Sequence, residues 1–204
     1  SRGYDLVIGV GFLFADAIRS VAADHPDVKF ALVDGRVADR PNVASLVFRE
    51  QEGSFLVGAA AAMNSTTGTV GFIGGVGGFG LIEKFQAGFE AGAKAANPKV
   101  TVATVYHPAA DNAFNDPVWG AGEAKKQLAQ GADIIFGAGG NTGNGALQEV
   151  AKASGAGTDK FCIGVDTDQW DTVPAAQPCL VTSAMKLISE GVTETAVKAK
   201  AGDF

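Results

Sequence analysis

The sequence predicts an α/β protein built on doubly wound, mostly parallel sheets, and three observations carry that reading. Short β-rich runs alternate with helix-length stretches, the pattern of βαβ units joined by right-handed crossovers. The 28 glycines among 204 residues cluster after apolar runs, where strands turn into helices, and do not form low-complexity tracts. Finally, Phe161-Cys162-Ile163 runs straight into GVDTDQW at 164–170, so two carboxylates, an amide and an aromatic stand at the carboxyl end of a strand. Open α/β sheets bind their ligands at that end. Asp and Gln are also ordinary loop residues, and an acidic loop that merely caps a helix explains these letters equally well.

Taken in order, residues 5–10, 28–33 and 43–48 read as strands, and 14–23 and 53–63 as helices. A polar turn, NSTTG at 64–68, interrupts the rhythm and marks the expected lobe boundary. Beyond it, strands over 69–73, 100–106, 133–136 and 161–165 alternate with helices over 81–96, 119–130 and 146–154. A last strand over 180–183 and a helix over 186–199 return to the first lobe. The expected organisation is two lobes, residues 1–66 with 183–204 and residues 67–182. The second has strands enough for a complete doubly wound sheet. The first is under-sized, as though its N-terminal part were missing from this chain.

Composition narrows the function. Hydrophobic content of 47% with 19% charged residues suits a globular protein with a substantial core. A net charge of −6 leaves no basic surface for phosphate backbones, which argues against nucleic acid as a partner. The longest apolar candidate, 55–63, falls short of the roughly 18–20 residues of a membrane span. Nothing at 1–4 resembles a signal peptide, and the chain starts almost directly on a strand, which suggests that it begins inside a longer protein. Cys162 and Cys179 lack metal-site spacing and have no histidine near them in sequence. They form either a disulfide, which would point to an oxidising compartment, or two buried thiols.

Two glycine motifs invite a nucleotide reading. GVGGFG at 75–80 has the G-x-G-x-x-G form between a strand and a helix, the local context of a dinucleotide fingerprint. That fingerprint also needs an acid at the end of the next strand, which here ends in Tyr106-His107-Pro108 with no acid before Asp111. A turn that packs a helix closely on its sheet is the plainer account. GGNTGNG at 139–145 lacks the Lys-Ser/Thr of a phosphate loop; it offers backbone N–H groups to ligand hydroxyls or carboxylates, or is a helix cap with Asn141 or Thr142 as the capping residue. Catalytic constellations are poor. His25 and His107 each precede a proline with no nucleophile or metal-ligand pattern nearby, and Ser183 is not in a G-x-S-x-G elbow. No catalytic residue, metal site or cofactor is expected.

The segments FREQEGSFLVGAAAAM, TVGFIGG followed by EKFQAGFEAGAKAANP, FNDPVWG, QGADIIFGAGGNTGNG, IGVDTDQW and LVTSAMK run through nearly all of the chain. Together, in this order, they resemble the basic membrane protein family of ABC-transporter solute-binding lipoproteins, whose best-understood members bind purine nucleosides. The resemblance implies a two-lobed type I periplasmic-binding fold that clamps a nucleoside between its lobes by hinge closure and delivers it to a membrane permease. It also implies a monomer outside the cytoplasmic membrane, tethered by a lipidated N-terminal cysteine. That cysteine, the family's first strand and its following Asp-Lys-Ser-Phe-Asn-like segment are not in this sequence.

Carried over by motif, Phe114 of FNDP resembles the aromatic that stacks on the base, although a core Phe anchoring a loop would look the same. Gly140 is similar to the glycine whose backbone approaches the sugar. Asp166 of GVDTDQ resembles the carboxylate that accepts from the ribose hydroxyls, and Lys186 of TSAMK the ammonium reaching that sugar from the other lobe. For Asp166 a helix cap, and for Lys186 a solvated helix position, are the bland alternatives. Asp34, ending FALVD, resembles the acid facing the base edge, and before Gly35 it is equally a turn residue. Trp170 supplements the aromatic wall or covers the hinge. The expected function is extracytoplasmic nucleoside binding without chemistry. The alternatives are an NAD-dependent oxidoreductase resting on 75–80 and a ligand-sensing receptor of the same fold.

Overall fold

The computed structural model describes residues 3–78 and 80–204, so that Phe79, within the glycine run at 75–80, lies outside the described residues. The chain divides into two compact units, residues 1–48 with 187–204 and residues 49–186.

In the first unit, β1 (Leu6–Val10), β2 (Lys29–Val33) and β3 (Val43–Leu46) form a parallel sheet in the order β1-β2-β3. Helix α1 (Ala15–Asp24) links β1 to β2 and buries Ile18 and Ala22 against Phe30, Leu32 and Val37. The Asn42 carboxamide donates to the carbonyls of Ala22, His25 and Val28, which satisfies acceptors where α1 ends. The last helix, α7 (Ile188–Ala201), belongs to this unit, and Lys29 Nζ donates to the carbonyl of Ala199 near its C-terminus at 2.6 Å.

The second unit is a five-stranded parallel sheet in the order β5-β4-β6-β7-β8: β4 is Thr69–Val76, β5 Thr101–His107, β6 Ile134–Ala138, β7 Phe161–Asp166 and β8 Leu180–Met185. Both faces are covered, which is why its inner strands read as continuous apolar runs. Alternation assigns the faces. Phe72, Ile134 and Phe136 pack under α2 (Glu50–Asn64) and α3 (Leu81–Ala96), while Ile73 and Ile135 pack under α4 (Pro117–Ala129) and α5 (Gly140–Lys152). Phe72, Phe85, Phe89 and Phe136 form an aromatic cluster on the first of these faces, with ring centroids 5.2 to 6.3 Å apart; Phe136 meets Phe72 and Phe85 edge to face, and Phe89 lies tilted against Phe72 and Phe136.

The division between the units falls at 48/49, where the polar turn at 64–68 had suggested 66/67. Helix α2 packs with α3, and the reason is steric: side chains at Gly58, Gly88 and Gly92 would collide with the backbones of Phe89, Gln51 and Phe55. The two helices meet backbone to backbone, and α2 goes with the sheet that α3 covers. The polar turn is instead stapled to β6. Buried Asp133 accepts from the hydroxyls of Ser65 and Thr66 and from the N–H groups of Thr66 and Thr67, at 2.7 to 3.1 Å.

Cys162 and Cys179 form a disulfide that ties β7 to the turn preceding β8. Closing a loop of this length is worth on the order of 3 kcal/mol in the chain-entropy model. The predicted helix over 146–154 begins earlier, at Gly140, because the glycine-rich run is itself the first turn and a half of α5. The acidic stretch at 164–168 leads into a short helix, α6 (Gln169–Thr172).

Burial raises the Asp133 carboxyl, but the hydrogen bonds from Ser65, Thr67 and Thr66 outweigh it and hold the group below its ordinary value. A lowered folded pKa stabilises above the unfolded value and loses that contribution as pH falls through the folded one. Asp133→Asn is therefore expected to cost about 2 to 4 kcal/mol near neutrality, since charge-assisted bonds are lost from a buried site. The gap between variant and parent should narrow as pH falls below the ordinary carboxylate range in denaturant titrations.

Candidate functional site

The strand order defines the site. From β4 the chain passes outward to β5 and then returns to the other side of β4 to make β6, so the connections part between β4 and β6. In open α/β sheets the crevice outside the carboxyl ends at such a switch point is where ligands bind. Here Gly74-Gly75 stand near the end of β4 and Gly139-Gly140 directly follow β6, and a Cβ on Gly139 would stand 2.9 Å from the amide nitrogen of Gly75.

The glycines make room for aromatic rings. A side chain at Gly75 would overlap the Phe114 ring, and one at Gly74 would lie 2.8 Å from the Tyr106 ring. Gly75 and Gly74 therefore open places for the rings of Phe114 and Tyr106. Tyr106 donates its hydroxyl to Gln86 Oε1, and burial, reinforced by the negative Glu83, pushes its pKa up to about 12. It stays a neutral donor across the physiological range.

Phe114 sits in the segment between β5 and α4, which is fastened at several points. Asp116 caps α4, accepting from the Trp119 N–H at 3.0 Å, and Pro117 follows in the first helical position. The Trp119 N–H and then His107 hold the Asp116 carboxyl below the usual range. The buried Thr142 hydroxyl donates to the Ala113 carbonyl and accepts from the Asp116 N–H, both at 2.9 Å. Thr142 is thus a loop fastener, and neither it nor Asn141 caps α5, whose N-cap is Gly139 with no side-chain bond. The Asn141 N–H donates to the Phe114 carbonyl at 2.9 Å. Gly140, at φ 57°, lies against that same carbonyl, and a Cβ there would approach it to 2.9 Å.

One and two strands further along the same edge stand Asp166 and Lys186. Asp166 ends β7 at φ 68°, and its backbone carbonyl accepts from the Lys186 N–H at 2.8 Å. Lys186 is only 7% exposed, with Nζ 2.9 Å from Asp166 Oδ1 and 5.5 Å from the centroid of the Phe85 ring. A buried ammonium is costly unless paired, and the carboxylate and the ring face share that task. Lys186 follows β8 in the second unit, next to the strand of Asp166, and is not carried by the first unit as expected. It is neither a solvated helix residue nor part of α7.

Among the described non-glycine residues, only Asp34 and Asp166 have positive φ, 67° and 68°. Each stands at the carboxyl end of a parallel strand, Asp34 directly after β2 in the first unit. Backbone strain of about 1 to 3 kcal/mol per residue persists where the surroundings hold it, and it concentrates at functional sites. Asp168 does the capping expected of an acidic loop, accepting from the Trp170 N–H. Trp170 is half exposed on α6.

The structure thus brings Phe114 together with Gly140, and Asp166 together with Lys186, along one sheet edge; Asp34 occupies the corresponding edge of the other sheet. Sequence reasoning missed Gly75 as a seat for Phe114, and it missed Gln169. That residue is buried, accepts from the Val165 N–H at 2.9 Å, donates its own N–H to Ser183 Oγ at 3.1 Å, and so locks the turn around Asp166. The amide in GVDTDQW was visible, but its inward direction depends on α6.

The two parallel sheets share the type I periplasmic fold with ABC-transporter solute-binding proteins of known structure. A solute-binding protein of an ABC transporter system from Aeropyrum pernix superposes with a TM-score of 0.87 at 29% identity, over 98% of this chain and 56% of that one. A D-fucose-bound ABC transporter solute-binding protein from Agrobacterium vitis, at 19% identity and TM-score 0.69 over 99% of this chain and 71% of that one, shares the fold. The family described as "ABC transporter substrate-binding protein PnrA-like" matches residues 1–203. The chain belongs to this family, that of the basic membrane proteins. It is 40% identical to a CD4+ T-cell-stimulating antigen of Listeria monocytogenes over 98% of this chain and 57% of that protein. It is 39% identical to basic membrane protein A1 of Borrelia garinii over 90% of this chain and 52% of that protein. The chain therefore spans little more than half the length of these relatives. The family is one of transporter solute-binding proteins and not of enzymes, so the oxidoreductase reading of 75–80 does not hold.

Gly75→Val is expected to displace the Phe114 ring and cost about 1 to 3 kcal/mol by overpacking. Thermal unfolding measures the loss, and a chemical-shift change at Phe114 larger than at Phe136 would locate it.

Proposed function

We propose that the protein binds a purine nucleoside outside the cytoplasmic membrane and passes it to an ABC permease. The observation that carries this reading is the Phe114 ring seated at a glycine-lined switch point on the same sheet edge as the Lys186-backed Asp166 carboxylate. A flat apolar face suits a heterocycle, and base–aromatic stacking contributes about 1 to 3 kcal/mol. A carboxylate held in place by a buried ammonium suits vicinal hydroxyls, because charged acceptors make short, directional bonds with them. The side chain of Asp166 is 40% exposed although its partner is buried, so the acid is anchored from behind and faces outward.

In this reading Phe114 stacks on the base, the Gly140 backbone approaches the sugar, Asp166 and Lys186 hold the ribose, and Asp34 meets the base edge. The Cys162–Cys179 disulfide favours an oxidising compartment and hence an extracytoplasmic location. A lipidated N-terminus as tether, a monomeric state and a permease partner complete the proposal by family likeness.

The test is calorimetric titration of the full-length protein with inosine, guanosine and the free bases. Phe114→Ala should weaken nucleoside binding by about 5- to 150-fold. Asp166→Ala should abolish nucleoside binding while leaving weak free-base binding little changed. Because it would also leave the Lys186 charge buried without its acid, Asp166→Asn serves as the companion variant. Nucleoside affinity unaltered in both Asp166 variants would sink the assignment.

A further inference from the structure

Four side-chain amides stand in single file across the carboxyl edge of the second unit. The Val165 N–H donates to Gln169 Oε1 at 2.9 Å, Gln169 Nε2 to Asn144 Oδ1 at 2.7 Å, Asn144 Nδ2 to Asn141 Oδ1 at 3.1 Å, and Asn141 Nδ2 to Asn115 Oδ1 at 2.8 Å. The direction of the file is imposed from its buried end. A backbone N–H can only donate, so the oxygen of Gln169 must face Val165 and its NH2 must face Asn144. The same constraint then fixes Asn144, Asn141 and Asn115 in turn. Hydrogen bonds aligned in this way polarise one another.

The file ends at the two halves of the site. Val165 immediately precedes Asp166, and Asn115 immediately follows Phe114. At the Asp166 end, Gly164 lacks the side chain that would collide with Gln169, so the amide can tuck against β7. At the other end, Asn141 grips the Phe114 segment twice, by its N–H to the Phe114 carbonyl and by its side chain to Asn115. Asn144, half-buried in the first turns of α5, is the middle link.

We propose that Gln169, Asn144 and Asn141 are positioning residues that couple the turn carrying Asp166 to the segment carrying Phe114, so that ordering either half of the site orders the other. The coupling is a property of the unliganded protein; only the identity of the ligand rests on the nucleoside reading. Its consequence is that a ligand engaging both the acid and the ring binds more tightly than its separate parts imply, because the ordering cost of the second contact has been met by the first.

Asn144→Ala removes the two central links, including the acceptor of the buried Gln169 Nε2, and leaves the proposed ligand contacts in place. Asn115→Asp keeps the terminal acceptor and Asn115→Leu removes it. The first readout is amide hydrogen exchange of residues 113–116 in the ligand-free full-length protein. Asn144→Ala and Asn115→Leu should speed exchange there by about 5- to 10-fold, the equivalent of one hydrogen bond, and by more than in the core strands β4 and β6, with Asn115→Asp within about twofold of the parent. The second readout is inosine affinity in a double-mutant cycle, where Phe114→Ala should cost less in the Asn144→Ala background than in the parent. Unchanged exchange at 113–116 in Asn144→Ala, or strictly additive effects of the 144 and 114 substitutions, overturns the coupling. Faster exchange in a protein whose parent form ignores inosine supports the coupling and overturns the nucleoside reading instead.

Discussion

Because β4 lies inside its sheet, with β5 on one side and β6 on the other, the chain must leave the carboxyl ends of β4 and β6 in opposite directions. The gap between those departures is a consequence of topology and not of any particular side chain. What this sequence adds is glycine at both rims, so that the backbones of Gly75 and Gly139 come together and the space above them is given to Phe114. The same substitution of bulk by emptiness recurs beneath the sheet. Gly88 and Gly92 let α3 touch the backbone of α2, while Gly120 and Gly145 let α4 and α5 meet over the opposite face. Helices brought that close leave their sheet little freedom to deform, and the carboxyl edge inherits that rigidity.

The charged half of the site follows a different logic. Lys186 is buried at the end of β8, where an isolated ammonium would be strongly disfavoured. Its partner Asp166 is held in left-handed backbone by the Gln169 lock and by the bond from the Lys186 N–H. Strain, burial and charge pairing are therefore concentrated in two adjacent strand ends. Replacing a buried ion pair by a well-packed apolar pair of similar volume is often neutral or stabilising, so the pair is weak evidence of a purely structural role.

Much of this was legible before the structure. The helix over 81–96 has the predicted bounds, and the strands of both sheets fall within a few residues of their expected positions, because apolar runs bounded by glycine or polar turns are a local signal. The misreadings share a cause. Helix α5 was started too late because glycine in a first turn looks like loop, although the N–H groups of that turn have no helical partner to lose. The boundary was put at the polar turn because nothing in the letters of α2 shows which sheet it covers. Lys186 was assigned to the other lobe for the same reason, since a strand end and a helix start are adjacent in sequence and part company only in space.

By itself the sequence determined the class of the protein: the alternation of strand and helix, the parallel sheets it implies, the family motifs, and the acids at the ends of strands. These depend on residues near one another along the chain, where periodicity and turn chemistry act. Only the tertiary structure decided which acid is anchored, that Gly75 seats an aromatic ring, and that four amides drawn from three separate segments stand in one file. Those outcomes depend on strand order and on helices meeting across a sheet, and a hydrogen bond or a ring contact between such distant positions has no counterpart in local pattern.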